Sequence, residues 1–175
     1  MNGVGATGSM LFLPVRTRNA APRILSAAEI SKAIGRALPL ISKLASPECV
    51  LKAEKLMGIA GKTRKSAENP GALLSPEEEC FRLQTAYLLY AKAVRLYTQA
   101  LHRLEPDSPA AMKEIIGLLI DAHGFGADTI CKCIDSLDKL PQSGKRSALY
   151  MHWEAYAIGT MQEIEALKGI PNSRA

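Results

Sequence analysis

Two neighbouring segments of this chain, residues 75–104 and 107–140, carry apolar residues at the three- and four-residue spacing of an α-helix. In the first segment these positions are Leu83, Tyr87, Tyr90, Val94, Tyr97, Leu101 and Leu104. In the second they are Met112, Ile116, Leu119, His123, Gly126, Ile130, Ile134 and Leu137. Only a short connection containing "EPDSP" separates the two segments, so the stripes predict an antiparallel helical hairpin.

Each of these helices also carries a second apolar stripe. One stripe is enough to hold a hairpin, so two stripes per helix require a third helix, a binding partner, or both. The third helix could come from residues 26–60 or from 146–168, and then the second stripe would be core. In that case we expect the partner site elsewhere, on the open face of 146–168. If a partner covers the second stripe instead, the stripe supplies the anchors of an incoming amphipathic helix. We predict that the partner-binding residues are Leu89, Ala93, Leu96, Ile115, Leu118 and Phe125.

Helix-start signals recur along the chain, and no segment shows sustained alternation of period two. Ser26 with Glu29 and Ser75 with Glu78 have the spacing of capping boxes. Pro47 after Ser46 indicates one further helix start, and Pro109 with Asp107 or Ser108 as the cap indicates another. A fourth long helix is predicted over 146–168. The predicted fold class is all-α, with long antiparallel helices in a three- to four-helix bundle.

Several local features interrupt this pattern. Pro39 predicts a kink or break in the helix that starts after Ser26. Residues 61–74 are predicted to be a basic linker. The "GIAGKT" run resembles a phosphate-binding loop, but Leu56 stands where that loop needs glycine. The two glycines of "HGFG" at 123–126 predict a kink, a close approach of another backbone, or a loop that splits the helix.

The positive charge of the chain is concentrated in its N-terminal part. Residues 1–74 carry eleven Lys and Arg against four Asp and Glu, whereas 75–175 carry eleven against thirteen. Such a basic excess could attract anionic lipid or nucleic acid, or form a solvated arm. We predict a flexible basic arm over 1–25, with a transit peptide as the alternative. Because few aromatic residues are present, we expect no nucleic-acid partner.

The sequence contains no arrangement of residues that is typical of catalysis or metal binding. The four cysteines do not form a CxxC pair, and the three histidines lie on separate predicted helices. We therefore predict no catalytic residue, no metal site and no cofactor, and we expect reduced thiols in a cytoplasmic protein. A small helical enzyme that uses a cysteine is the remaining catalytic alternative.

The helical segments together resemble a known family. The relevant runs are "LLSPEEECFRLQTAYLLYAKAVRLYTQAL", "MKEIIGLLIDAHGFGADTICKCIDSLDKL" and "KRSALYMHWEAYAIGTMQEIEAL". They resemble the C-terminal helical region of the Unc-51-like autophagy-initiating serine/threonine kinases, in which tandem modules similar to microtubule-interacting and transport (MIT) domains occur. Leu89, Tyr90, Lys92, Ala93 and Leu96 match the "LYxKAxxLL" element of that region, and Ala155, Ala157, Glu163 and Leu167 match its last element imperfectly.

The resemblance implies a division of the chain and a function. It implies an MIT-like three-helix module over 26–140 and the first helix of an incomplete second module over 141–175. The implied function is to bind a helical peptide of the regulatory subunit, autophagy-related protein thirteen, and to aid recruitment of the kinase to the pre-autophagosomal membrane. The kinase motifs themselves are absent from this chain, so no enzymatic activity is expected of it. The alternative is a generic MIT-like adaptor in membrane trafficking.

Overall fold

Four long helices make up most of the computed structural model of this chain. The structure describes residues 25–26, 28–30, 32, 45–69, 71, 73–104, 108–141 and 144–169, and for 144–150 and 152 it describes the helix without the side chains. The helices are α1 (Ser46–Ala67), α2 (Pro76–His102), α3 (Pro109–Asp138) and α4 (Gly144–Lys168). Within the described part of the chain there is no strand, and the all-α prediction is confirmed.

The helix starts follow the signals in the sequence. The Ser75 side chain accepts a hydrogen bond from the Glu78 amide at 3.2 Å, which caps α2 as predicted. Ser26 and Glu29 form both hydrogen bonds of a capping box, and residues 28–30 and 32 are helical. In α1 the cap is Ala45, one residue before the predicted Ser46. The Ser46 hydroxyl instead donates to the Ala100 carbonyl of α2 at 3.0 Å.

Consecutive helices run in opposite directions. Ser46 at the start of α1 contacts Ala100 near the end of α2. The start of α2 meets the end of α3, where Lys139 Nζ lies 2.9 Å from the Glu79 carboxylate. The helix α2 is central, because α1 packs along one of its faces and α3 along another, while α4 packs on α3.

The predicted basic linker over 61–74 is wrong in its first half, because α1 continues to Ala67. Ala60 and Ala67 are buried, and an added Cβ at Gly61 would lie 3.8 Å from the Tyr90 hydroxyl. Small residues therefore let this part of α1 lie close to α2, while its lysines face outward. The Thr63 hydroxyl donates to the Ile59 carbonyl within the helix, so "GIAGKT" forms no phosphate-binding loop here.

The helix α3 is continuous through "HGFG", so the alternative of a loop that splits it is wrong. An added Cβ at Gly126 would lie 3.8 Å from the Cβ of Tyr90, which is ordinary contact distance between α2 and α3. At Gly124 an added Cβ would meet nothing within 4 Å. The close-approach interpretation therefore holds for Gly126 and not for Gly124.

Helix α4 belongs to the same core as α2 and α3. The fully buried Trp153 lies in one apolar cluster with Tyr87 of α2 and Leu137 of α3, and Ile30 from the N-terminal helical residues joins it. Leu25 donates its amide to the Gln84 side chain at 2.9 Å. The rest of the predicted arm and the expected kink at Pro39 lie outside the described residues. The division into modules at 140 and 141 stays a prediction.

Candidate functional site

The six residues predicted to bind a partner do not form one open surface. Leu89 is 2% exposed and packs with Ala60 of α1. Ala93 and Leu96 are buried with Cys49 and Ala53 of α1, and Ile115 and the half-buried Leu118 belong to that same cluster. Phe125 alone among the six is largely exposed, at 50%.

The physical reason is that α1 covers this second stripe of α2. Small residues on α1, among them Cys49, Ala53 and Ala60, are fully buried, so its backbone can lie close to α2. An incoming helix would have to displace α1 to reach Leu89 and Leu96. The expectation of an open stripe is therefore corrected for this conformation, while the partner-binding role of these residues stays a prediction.

An open groove lies elsewhere, between α2, α3 and α4. It encloses a cavity of about 490 Å³. Each of the three helices contributes to its walls, and the lining residues are Tyr87, Tyr90, Ala91, Val94, Arg95, Ala122, His123, Gly126, Ala155, Tyr156, Gly159, Thr160 and Glu163. The volume lies within the range of roughly 300–1,000 Å³ that is usual for ligand pockets.

Small residues on α3 and α4 keep this groove open. Ala122 and Gly126 face it from α3, and Ala155 and Gly159 face it from α4. A Cβ added at Gly159 would meet no atom within 4 Å, so space begins directly at the α4 backbone. Larger side chains at Ala155 and Gly159 would fill part of the cavity, whereas a Cβ at Gly126 would meet the Cβ of Tyr90.

Tyrosine rings form much of the wall. The Tyr87 ring meets the Trp153 ring edge to face at a centroid distance of 4.9 Å, and it meets Tyr156 at 5.9 Å. Tyr90 stacks on the exposed Phe125 with centroids 5.9 Å apart. Burial raises the pKa of Tyr87 well above its usual value, so its hydroxyl remains protonated at physiological pH. The wall thus combines apolar rings with neutral hydroxyl groups.

A polar contact between His123 and Glu163 crosses the groove from α3 to α4. His123 Nε2 lies 3.3 Å from a Glu163 carboxylate oxygen, and the Glu163 side chain is 65% exposed. Burial lowers the pKa of His123, and the Glu163 charge opposes part of that shift. At neutral pH His123 is therefore mainly neutral and presents one donor and one acceptor nitrogen. Together with Arg95 and Thr160 it gives the groove a polar side that can orient a ligand.

No cysteine is among the described residues that line the groove. Cys49, Cys80 and Cys133 are buried, Cys131 is exposed on α3, and all four are free thiols. Among the described residues no group of three or more His, Cys, Asp and Glu side chains is placed to hold a metal ion. In the same part of the chain, no helix is both long enough and apolar enough to cross a bilayer.

Comparisons with protein families, with curated proteins and with solved structures found no match for this chain.

The sequence offered the open face of 146–168 only as the alternative partner site, for the case in which both stripes are core, and it named none of the groove residues of α4 as site residues. The signal that could have indicated them is the run Ala155, Gly159 and Glu163, spaced four residues apart and so on one face of the helix. Two small residues followed by an acidic one leave that face without a core-forming side chain. Such a face is typical of a close helix contact or of an open groove, and packing decides between the two.

Proposed function

We propose that this chain is a protein-interaction module that binds an amphipathic helical peptide in the groove between α2, α3 and α4. The observation that carries the proposal is the open, tyrosine-lined cavity of about 490 Å³ where three helices converge. Helix-in-groove recognition uses such apolar clefts between helices. The core of the module remains closed during binding, because α1 stays on α2.

The groove can supply both apolar contacts and polar groups that orient a bound peptide. Val94, Ala155 and Tyr156 are not fully buried and can receive apolar side chains of the peptide. Arg95, His123 and Glu163 stand at the same groove and can hydrogen-bond with polar groups beside those anchors. Binding energy at interfaces is concentrated in a few central residues, so two or three anchor side chains in this cavity would supply most of it.

Apolar surface continues from the groove onto the outer side of α4. Met151 is 71% exposed, Ile158 is 56% exposed and Met161 is 54% exposed. Met151 and Ile158 are seven residues apart and therefore share a face, which adjoins the groove-lining Ala155 and Gly159. A peptide helix lying along the groove would cover this face as well.

The biological partner is proposed from the sequence resemblance. The chain would be the interaction region of an autophagy-initiating kinase, and its ligand a helical segment of autophagy-related protein thirteen, with a role in membrane recruitment. The alternative is a generic MIT-like adaptor, whose ligands would be the helical tails of trafficking complexes. Both proposals use the same groove and differ in the peptide that binds.

The experiment measures binding of two synthetic peptides by isothermal titration calorimetry. One peptide is a helical segment of autophagy-related protein thirteen, and the other is an MIT-binding tail of a trafficking complex. Each is titrated into the wild-type chain and into Gly159→Leu, which places a side chain in the groove where a Cβ meets nothing. Gly117→Leu is the matched control, because Gly117 is exposed on α3 and also has open space around it.

We expect the first peptide to bind the wild type and Gly117→Leu equally and to lose at least tenfold in affinity with Gly159→Leu. Binding of the second peptide instead, with the same loss, would support the adaptor alternative. Equal binding by all three proteins would place the site outside the groove. Binding of neither peptide would contradict both proposed partners.

A further inference from the structure

Two thiols from different helices meet in the core of this protein. The Sγ atoms of Cys80 in α2 and Cys133 in α3 are 3.6 Å apart. Both residues are fully buried, and both thiols are free. They share an apolar cluster with Leu83, Ile130 and Trp153. The sulfur atoms are in contact and need to approach by less than 2 Å to reach the bond length of a disulfide, about 2.05 Å.

We propose that Cys80 and Cys133 are a site of reversible oxidation, at which a small peroxide converts the two thiols into a disulfide that joins α2 to α3. This proposal is independent of peptide binding in the groove. It assigns a chemical role to a pair of residues that the groove does not use.

The structure distinguishes this pair from the other two cysteines. All four cysteines lie in the described part of the chain. Cys49 belongs to a different apolar cluster, with Ala53 and Leu96. Cys131 is exposed, and it points away from Cys133 because residues two apart on a helix face different directions. The thiols of Cys80 and Cys133 therefore have each other as partners for disulfide formation.

The reaction balances with hydrogen peroxide as the oxidant. One thiol loses its proton, and its sulfur attacks a peroxide oxygen, which breaks the O–O bond and gives a sulfenic acid and one water. The sulfur of the second thiol then attacks the sulfenic sulfur, forms the S–S bond and releases the hydroxyl group as a second water. The two thiols lose two electrons and two protons in total, and the peroxide is reduced to two waters.

The surroundings of the pair make its oxidation slow and restrict it to small oxidants. The pKa of Cys133 is raised well above its usual value, because its hydrogen bond with Cys80 and its burial both favour the neutral thiol. Cys80 lies four residues after the start of α2, and Cys133 lies five residues before the end of α3. Local opening at this end of the hairpin would admit a peroxide, whereas bulky oxidants need a larger opening.

The disulfide would connect residues 53 positions apart in the sequence. Such a cross-link restricts the unfolded chain, so the oxidised protein should be more stable than the reduced protein. Both helices also form walls of the groove, with Tyr87 on α2 and His123 on α3. The disulfide would therefore join the two helices that carry these residues.

The experiment treats the folded full chain with hydrogen peroxide and identifies the linked peptides by mass spectrometry without reduction. A Cys49→Ala, Cys131→Ser background removes the other two thiols, and the same background with Cys80→Ala is the matched control. We expect a Cys80–Cys133 cross-link in the wild type and in the background variant. We expect the background variant to melt about 5–10 °C higher after oxidation, and dithiothreitol to reverse the shift.

The control should show no rise in melting temperature after oxidation. The proposal would be overturned if Cys80 and Cys133 stay reduced while Cys131 is oxidised. That oxidation could appear on Cys131 alone, in a link from Cys131 to another cysteine of the chain, or in dimers joined through Cys131. If the control variant does not fold, the peptide map of the wild type still decides, because the presence or absence of the Cys80–Cys133 link is read from that protein alone.

Discussion

The Trp153 ring meets the Tyr87 ring edge to face, with centroids 4.9 Å apart and an interplanar angle of 83°. Trp153 is fully buried, although the outer face of the same helix is apolar and exposed. This contact joins α4 to α2 beside Tyr156, and Tyr87 and Tyr156 both line the groove. The groove therefore depends on α4 being part of the folded core.

Replacing Trp153 by alanine should destabilise the whole bundle. The expected loss is roughly 3–5 kcal/mol of unfolding free energy, because a large buried aromatic ring leaves a cavity in the cluster. Met151→Ala is the matched control on α4, since Met151 is 71% exposed, and its effect should stay within about 0.5 kcal/mol. Urea denaturation followed by circular dichroism measures both. Equal stability of the two variants would mean that α4 does not contribute to the core.

The double change Leu89→Ser with Leu96→Ser should unfold the protein. Both side chains are 2% exposed, and serine would leave cavities and bury hydroxyl groups against α1. We expect a loss of roughly 5 kcal/mol or more, which is comparable to the stability of many domains. Leu51→Ser on α1 is the control, because Leu51 is 66% exposed. A double variant that stays helical and melts normally would show that α1 leaves the stripe open in solution.

The sequence predicted the helices well, but it did not predict which helices pack against each other. Ser75 with Glu78 and Ser26 with Glu29 define helix starts through hydrogen bonds between residues three apart, so local sequence is sufficient there. The helical end of α1 was missed because Lys62, Thr63 and Lys65 resemble a linker, while the packing residues between them are small. Which helix covers each stripe depends on contacts distant in sequence. Leu89 is apolar in either case, and only packing shows that Ala60 covers it.

The sequence placed an alternative partner site on the open face of 146–168, but it did not predict the groove itself, for the same reason. Its residues come from three helices, and the sequence places His123 and Glu163 on separate segments without showing that they meet. A sequence also does not show where empty space lies, because a glycine such as Gly159 is compatible with a tight helix contact and with an open groove. The exposed Phe125 is the member of the predicted partner-binding set that agrees with an accessible surface.

Acid should weaken the contact between α1 and α3 through Glu68. Burial opposes ionisation of Glu68, but hydrogen bonds from Lys132 and Arg64 outweigh it and lower the pKa of its carboxyl below the usual 4.5. The folded state therefore releases this proton more readily than the unfolded state. The resulting stability is complete above about pH 4.5 and is lost as pH falls through the lowered pKa. Chemical denaturation from pH 6 to pH 3 should show a smaller decrease for Glu68→Gln than for the wild type, and identical slopes would contradict this role.

The titration of His123 should make the fold less stable as pH falls, in a pH range above that in which Glu68 acts. Its pKa is lowered by burial below the usual 6.5, so the unfolded state takes up a proton more readily than the folded state. The unfolding free energy should decrease as pH falls below 6.5, until the folded-state pKa is passed. Glu163→Gln removes the charge that favours the protonated imidazole, so it should lower the pKa of His123 further. Titration of the His123 ring protons by NMR measures this pKa in the wild type and in Glu163→Gln. A wild-type pKa above 6.5 would contradict the effect of burial on His123.

The most direct test of the proposed site is a map of backbone amide chemical shifts during titration with the helical peptide of autophagy-related protein thirteen. If the peptide binds in the groove, the largest changes should fall on its lining, at Tyr90, Val94, His123, Gly159 and Thr160. The amides of α1 around Ala53 and Ala60 should change little, since α1 stays on α2. Large changes along α1 together with Leu89 and Leu96, and none at Gly159, would show that the peptide displaces α1 and would contradict the groove as the binding site.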